Sequence, residues 1–282
     1  MGKNVLISPV VKWVGGKRQL LDSIMPLVPR SYTTYCEPFF GGGAVLFSLQ
    51  PKSAVINDAN EDLICLYRTI RDNVEPLIES LQQHENTSDH YYEVRALDRD
   101  KEAYASMSDI ERSSRLIFLN KTCYNGLFRV NSSGEFNTPF GSYKNPNIVN
   151  AATLRAVSNY FKNNDIQILS GDFADALAML PEKSFVYLDP PYDPVSNSAA
   201  FTGYTSGGFG KEEQIRLREC CDELNRRNIK FLLSNSDTQF IREQYAAYTI
   251  ETVRATRNIN SKGDKRGAVN EVLVYNYRKP KR

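Results

Sequence analysis

Four consecutive residues, Asp189-Pro190-Pro191-Tyr192, carry the densest chemistry in this 282-residue chain. The two prolines lock the local φ and bring no N–H, so neighbouring carbonyls lack a local donor. The tetrapeptide thus groups a carboxylate, carbonyl acceptors and a flat ring on one stiff, exposed corner. Such a set suits a planar base with an exocyclic amine: the oxygens hold the amine and the ring stacks on the base. A plain proline-rich turn is the alternative, and a cofactor site elsewhere in the chain would decide between them.

Phe39-Phe40-Gly41-Gly42-Gly43 opens a helix at Ala44, and glycines there let the chain turn tightly and approach a ligand. Asp58 follows at the end of the next apolar run, where an acid typically binds ribose hydroxyls. Together they point to a nucleoside-containing cofactor. Trp13-Val14-Gly15-Gly16-Lys17 looks like a phosphate loop but lacks the earlier glycine of that motif, and Arg18 stands where Ser or Thr is needed. Lys17 is then an exposed lysine or the partner of a carboxylate. Asp172, in Gly171-Asp172-Phe173, either caps a helix or accepts from a cofactor's adenine amine with Phe173 beside the ring. Tyr124-Asn125-Gly126-Leu127-Phe128-Arg129 opens a polar loop. Asn and Arg read adenine and guanine edges, and Tyr or Leu can wedge into a base stack. An ordinary Asn-Gly turn is the alternative.

Short apolar runs position these residues. Tyr35 to Phe39, Ala54 to Asp58, Ile166 to Leu169, Phe185 to Leu188 and Lys230 to Leu233 read as strands, most ending in an acid or a glycine. Tyr248 to Val253 and Val269 to Tyr277 follow, the last alternating like an antiparallel edge hairpin. Leu217, Cys221 and Leu224 share one helical face. The alternation predicts a doubly wound α/β sheet, whose carboxyl edge is where open α/β folds bind ligands. Residues 62–150 differ. They hold helical segments and no convincing strand. Ser108-Asp109-Ile110-Glu111 is a capping box before a helix through Leu119, and a polar, glycine-rich stretch runs from Tyr124 to Pro146. The domain organisation expected is residues 1–61 with 151–282, interrupted by a mostly helical insertion at 62–150.

Net charge is only +2, but Arg254 to Arg282 carries nine Lys/Arg against Asp264 and Glu271, a candidate phosphate-contacting segment. Five cysteines without CxxC spacing fit a reduced cytoplasmic protein, not a disulfide framework or zinc site. The only histidines are His84 and His90, so no metal site is expected and any chemistry must run on other groups. No apolar run approaches the ~20 residues that span a bilayer.

Taken together these blocks resemble the Dam-type DNA adenine-N6 methyltransferases of the alpha class. The likeness covers nearly the whole chain: Lys12 to Lys17, Glu37 to Gly43, Asn57-Asp58, Tyr124 to Arg129, Phe136 to Gly141 and Asp189 to Tyr192. It implies a Rossmann-like S-adenosylmethionine (SAM)-dependent sheet with an inserted target-recognition domain, SAM as donor, and a flipped adenine, in GATC, as target. Trp13, Lys17, Phe39, Gly41, Gly43, Asp58 and Asp189 match cofactor positions, with Asp172 and Phe173 beside them. Lys12 and Arg129 match contacts to the outer guanine and its surroundings. Tyr124, Asn125, Leu127 and Pro139 match inner-base readout and the wedge. Asp189, Pro190 and Tyr192 are the expected catalytic corner. Phe40 stands where the family pattern leads one to expect a smaller aliphatic. The loop Pro194 to Phe209, with Phe201, Thr202 and Tyr204, is expected to close over the base. The closest likeness is to methylases paired with GATC-cutting restriction enzymes, acting as a monomer or weak dimer. Methylation of RNA or protein amides, or a DNA-binding regulator without turnover, are the other readings. The insertion argues against the first and the intact corner against the second.

Overall fold

The computed structural model describes residues 3–13, 15–194, 208–256 and 268–280. In chain order the helices and strands are α1 (Leu21–Ile24), β1 (Tyr35–Glu37), α2 (Ala44–Leu49), β2 (Ser53–Asp58), α3 (Glu61–Asp72), α4 (Val74–Gln82), α5 (Ser88–Ala96), α6 (Lys101–Ser106), α7 (Asp109–Thr122), α8 (Ala151–Lys162), β3 (Asp165–Ser170), α9 (Phe173–Ala178), β4 (Phe185–Leu188), α10 (Lys211–Arg226), β5 (Lys230–Ser236), α11 (Gln239–Gln244), β6 (Thr249–Thr256) and β7 (Ala268–Tyr275).

The strands form one seven-stranded sheet in the order β3-β2-β1-β4-β5-β7-β6. The first five pair in parallel, and β7 runs antiparallel to both β5 and β6. Each run read as a strand is one. The last two pair antiparallel, as the alternation predicts, but only β6 is an edge. β7 is inserted between β5 and β6 and is buried from Glu271 to Tyr275.

Successive strand residues face opposite sides, and each side meets its own hydrophobic cluster. Tyr35, Ile56, Phe185, Tyr187 and Leu232 pack with the apolar faces of α3, α4, α7 and α8. Cys36, Val55, Val186, Leu188 and Leu233 pack with α9, α10 and α11, where Leu217, Cys221 and Leu224 are all buried. Cover on both faces explains why the central strands are continuously apolar.

Between residues 62 and 150 the described chain is helical and then irregular, with only the isolated bridges Cys123↔Phe140 and Val130↔Phe136. The Ser108–Glu111 capping box opens α7, which runs to Thr122, three residues past the expected end. These helices share the sheet's own core, and Phe128 and Phe136 extend it into the polar loop.

The chain steps from β1 outward to β2 and β3, then returns to place β4 and β5 on the other side of β1. The carboxyl ends of β1 and β4 therefore flank the crevice where the winding reverses, the ligand position of open α/β sheets. Among the described residues no helix is long and apolar enough to cross a membrane.

Candidate active site

At that crevice Asp189 leaves β4 and meets Lys17, which comes from the far N-terminal end of the chain. Lys17 Nζ lies 2.8 Å from Asp189 Oδ1, with side-chain exposures of 8% and 17%. Ser234 of β5 donates to the same Oδ1 at 3.0 Å, and the hydroxyls of Tyr187 and Ser234 are 3.0 Å apart. Asp189 Oδ2 takes no hydrogen bond from the described residues, so one oxygen is fixed and the other is free to accept. Burial raises the Asp189 carboxyl above its ordinary range, while the Lys17 charge and the bonds from Lys17 and Ser234 pull it back.

The rest of the corner is less exposed than its sequence suggests. Pro190 is buried and Tyr192 half-buried. The reason is cover from distant elements. Lys17 Nζ sits 4.6 Å from the centre of the Tyr192 ring, and the Tyr192 hydroxyl donates to Glu271 Oε2 on β7 at 2.8 Å. Nor are all the carbonyls free: Gln214 Nε2 donates to Pro191 O at 2.8 Å. The Pro190 carbonyl takes no hydrogen bond from the described residues. Downstream, the Asp193 N–H donates to Asn235 Oδ1 at 3.0 Å, which ties the corner to β5.

Glu37, the last residue of β1, is near enough to feel the charges of Asp189 and Lys17. It is buried, and its Oε2 accepts from the Tyr35 hydroxyl at 2.8 Å and the Leu46 N–H at 3.2 Å. Burial pushes its carboxyl up to about 8; the Asp189 charge adds to the push, while Tyr35, Leu46 and Lys17 oppose it.

The glycine block follows as expected and leads into α2 at Ala44. Gly43 has φ +69°, and a Cβ there would stand 2.5 Å from the Phe40 ring and 2.9 Å from Phe47. Phe40 is 2% exposed and packs against Tyr67 at 4.7 Å, so the larger residue fills the core under the loop. Gly41 faces the other way: a Cβ there would reach 3.0 Å from the Trp13 ring. Asp58 anchors the loop by accepting the N–H of Gly41 at 2.8 Å and of Asn60 at 2.9 Å. Phe39, Phe173 and Phe209 form an aromatic cluster with centroid distances of 5.1, 5.6 and 5.9 Å. Asp172 does cap α9, accepting from Ala174 N–H at 2.8 Å. Its carboxylate also pairs with Arg216 at 2.9 and 2.6 Å, and that guanidinium lies over the Phe173 ring at 4.2 Å. An adenine amine at Asp172 would share the carboxylate with Arg216.

The residues expected to read DNA lie on one connected surface. Lys12, Tyr124, Asn125, Arg129 and Pro139 are exposed and Leu127 is half-buried. Their backbones are held tightly. Asn120 of α7 accepts from Lys12 N–H at 2.8 Å, and its amide donates to Lys12 O at 2.7 Å and Gly126 O at 3.3 Å. Tyr124 N–H donates to Pro139 O, and Asn137 N–H to Arg129 O. The Asn-Gly turn is present, with Asn125 at φ +58° and Gly126 at φ +64°. A Cβ on Gly126 would come within 2.6 Å of the Lys12 side chain. Trp13 stacks on Phe128 at 4.6 Å, so the Trp13–Lys17 motif and the loop after α7 share a wall. Arg129 is held by Asn137, its Nε donating to Oδ1 at 2.7 Å.

Sequence reasoning gave no role to Glu37, Tyr187, Gln214, Ser234, Asn235 or Glu271. Ser234-Asn235 was visible as a polar end to an apolar strand, and Glu271 as an acid inside one. The expected lid residues Phe201, Thr202 and Tyr204 lie outside the described residues, as does 257–267 of the basic segment.

The family profile of the D12 class N6 adenine-specific DNA methyltransferases matches residues 13–259. This chain belongs to that class. The match spans both the Lys17 motif and the Asp189 corner. A type II methyltransferase of Lactococcus lactis subsp. cremoris, M1.LlaDCHI, is 45% identical over 273 residues, 96% of each chain. The type II methyltransferase M.MjaIII of Methanocaldococcus jannaschii is 41% identical, covering 96% of this chain and 99% of its own. The DNA adenine methylase of Escherichia coli K12 is 34% identical, covering 94% of this chain and 93% of its own. The protein is thus an adenine-specific DNA methyltransferase, and DNA is its substrate.

Proposed function

We propose that this enzyme moves a methyl group from SAM to N6 of an adenine flipped out of duplex DNA, within GATC. The observation that carries the reading is Asp189: one carboxylate oxygen fixed by Lys17 and Ser234, the other accepting no hydrogen bond, next to a Pro190 carbonyl without a donor.

The residues present fit SAM. Gly41 backs onto Trp13 so closely that any side chain would crowd the ring, Asp58 holds the loop, and Phe39 and Phe173 add an aromatic pair beside it. Trp13, Lys17, Phe39, Gly41, Gly43, Asp58, Asp172, Phe173 and Asp189 would hold it. When bound, SAM supplies an electrophilic methyl on a sulfonium. The protein's task is the other partner. The N6 lone pair is conjugated into the purine and is a poor nucleophile. Hydrogen bonds from its two hydrogens to Asp189 Oδ2 and Pro190 O favour a pyramidal nitrogen, an interaction stronger in the transition state than in the ground state. The Lys17 charge opposes the upward shift that burial imposes on the Asp189 carboxyl. Leaving the stack costs the adenine a few kcal/mol, and stacking on Tyr192 offsets part of it.

Residues 62–150 form the target-recognition unit of this proposal, with Lys12, Tyr124, Asn125, Leu127, Arg129 and Pro139 as DNA contacts. GATC follows from their likeness to the Dam-type pattern. The type II naming of two relatives supports pairing with a restriction endonuclease. We place the enzyme in the cytoplasm as a monomer or weak dimer. The test is label transfer. Purified enzyme, methyl-labelled SAM and a GATC duplex should give N6-methyladenine as the labelled base, with a scrambled duplex unlabelled. Label on another atom, or no SAM binding by calorimetry, would overturn the proposal.

A further inference from the structure

The Tyr192 ring is restrained from two directions by residues far away in sequence. Glu271 stands on β7, 79 residues on, with its side chain buried, and its Oε2 accepts the Tyr192 hydroxyl at 2.8 Å. The phenolic oxygen lies on the axis about which the ring turns. A hydrogen bond to it fixes where that axis points, but not the turn of the ring about it. The turn is limited by Lys17, whose ammonium lies 4.6 Å from the ring centre. The backbone below is fixed separately, through Gln214 on Pro191 O and Asn235 on the Asp193 N–H. A carboxylate is costly to bury, and this one accepts the hydroxyl of the corner's ring.

We infer that Glu271 is a positioning residue: it aims the Tyr192 ring so that an extruded purine meets a platform already in place. The inference rests on the flipped-adenine reading above. A preset platform matters after the duplex is bound, because phosphate contacts carry duplex affinity and do not involve the ring. Its loss therefore falls on kcat and leaves KM for the duplex alone.

The experiment is a double-mutant cycle on the full-length enzyme, with kcat and KM measured for Glu271→Leu, Tyr192→Phe and the pair. Glu271→Leu is expected to lower kcat about tenfold with KM for DNA unchanged. Tyr192→Phe should fall equally, and the double variant no further than either. Glu271→Gln keeps an oxygen that accepts from the hydroxyl and is expected to restore most of the rate, which a generally damaged fold would not allow. Additive losses, a loss confined to KM, or a Glu271→Gln variant as slow as Glu271→Leu would overturn the inference. Wild-type enzyme run alongside separates the two claims. Absence of an N6 product from it sinks both, whereas normal wild-type turnover with additive variant losses sinks this one alone.

Discussion

The Asp189 corner and the proposed recognition surface are built differently. At the corner the side chains themselves are locked: Asp189 by Lys17 and Ser234, Tyr192 by Glu271 and Lys17, Glu37 by Tyr35 and Leu46 N–H. On the proposed recognition surface the backbone is locked through Asn120 and the Tyr124–Pro139 bond, while Lys12, Tyr124 and Asn125 extend into solvent and Arg129 is held by Asn137. Preorganised dipoles and charges accelerate a reaction because they need not rearrange as it proceeds. Base-reading side chains need only a fixed point of origin, since the groove completes their geometry. Mutations at the corner should therefore cost rate and stability together, and those on the surface should cost discrimination.

Among substitutions of the residues that surround Asp189, the largest effect is expected from Lys17→Met. It strands a nearly buried carboxylate, a loss on the order of 3 kcal/mol in transition-state stabilisation, or about a hundredfold in kcat/KM. The Lys17 charge lowers the Asp189 carboxyl, so its removal should move the acid limb of the pH–rate profile to higher pH. A profile that stays in place would uncouple the two residues.

Glu37 supplies the next. Its carboxyl is raised to about 8 in the fold, so the folded state binds the proton more tightly than the unfolded chain does. That contribution is fully present below the ordinary glutamate range and is lost as pH rises through about 8. Glu37→Gln should remove up to a few kcal/mol of pH dependence over that window, read from denaturant midpoints at several pH values. An unchanged slope would show that Glu37 is ionised throughout.

Gly43→Ala should cost about 2–4 kcal/mol of stability, from a left-handed backbone and a clash with Phe40 and Phe47. The surface gives the smallest effect. Arg129→Ala should reduce outer-base discrimination by about 1–3 kcal/mol while melting like the wild type. Equal discrimination would remove Arg129 from readout.

Much of this difference between regions was hidden in the sequence for a physical reason. Strands announce themselves locally, because a buried parallel strand must be apolar and must end where the ligand edge begins. All seven runs were legible for that reason, as were the glycine block and the capping box at Ser108. Pairings between distant residues leave no local trace. Lys17 looked able to meet a carboxylate, but nothing nearby said that Asp189, 172 residues on, was the one. The position of β7 inside the sheet was equally silent, since a hairpin can dock by either strand, and with it the burial of Glu271 and its bond to Tyr192. The corner looked exposed because its cover comes from the first and last parts of the chain.

The central claim is that Asp189 acts on the amine and not on DNA affinity. Single-turnover methylation by Asp189→Ala, with duplex binding followed by anisotropy in the same preparation, tests it most directly. Methyl transfer should fall by at least about 10²–10³-fold with the dissociation constant for duplex nearly unchanged. Transfer at the wild-type rate, or loss of rate only in proportion to lost binding, would contradict the account.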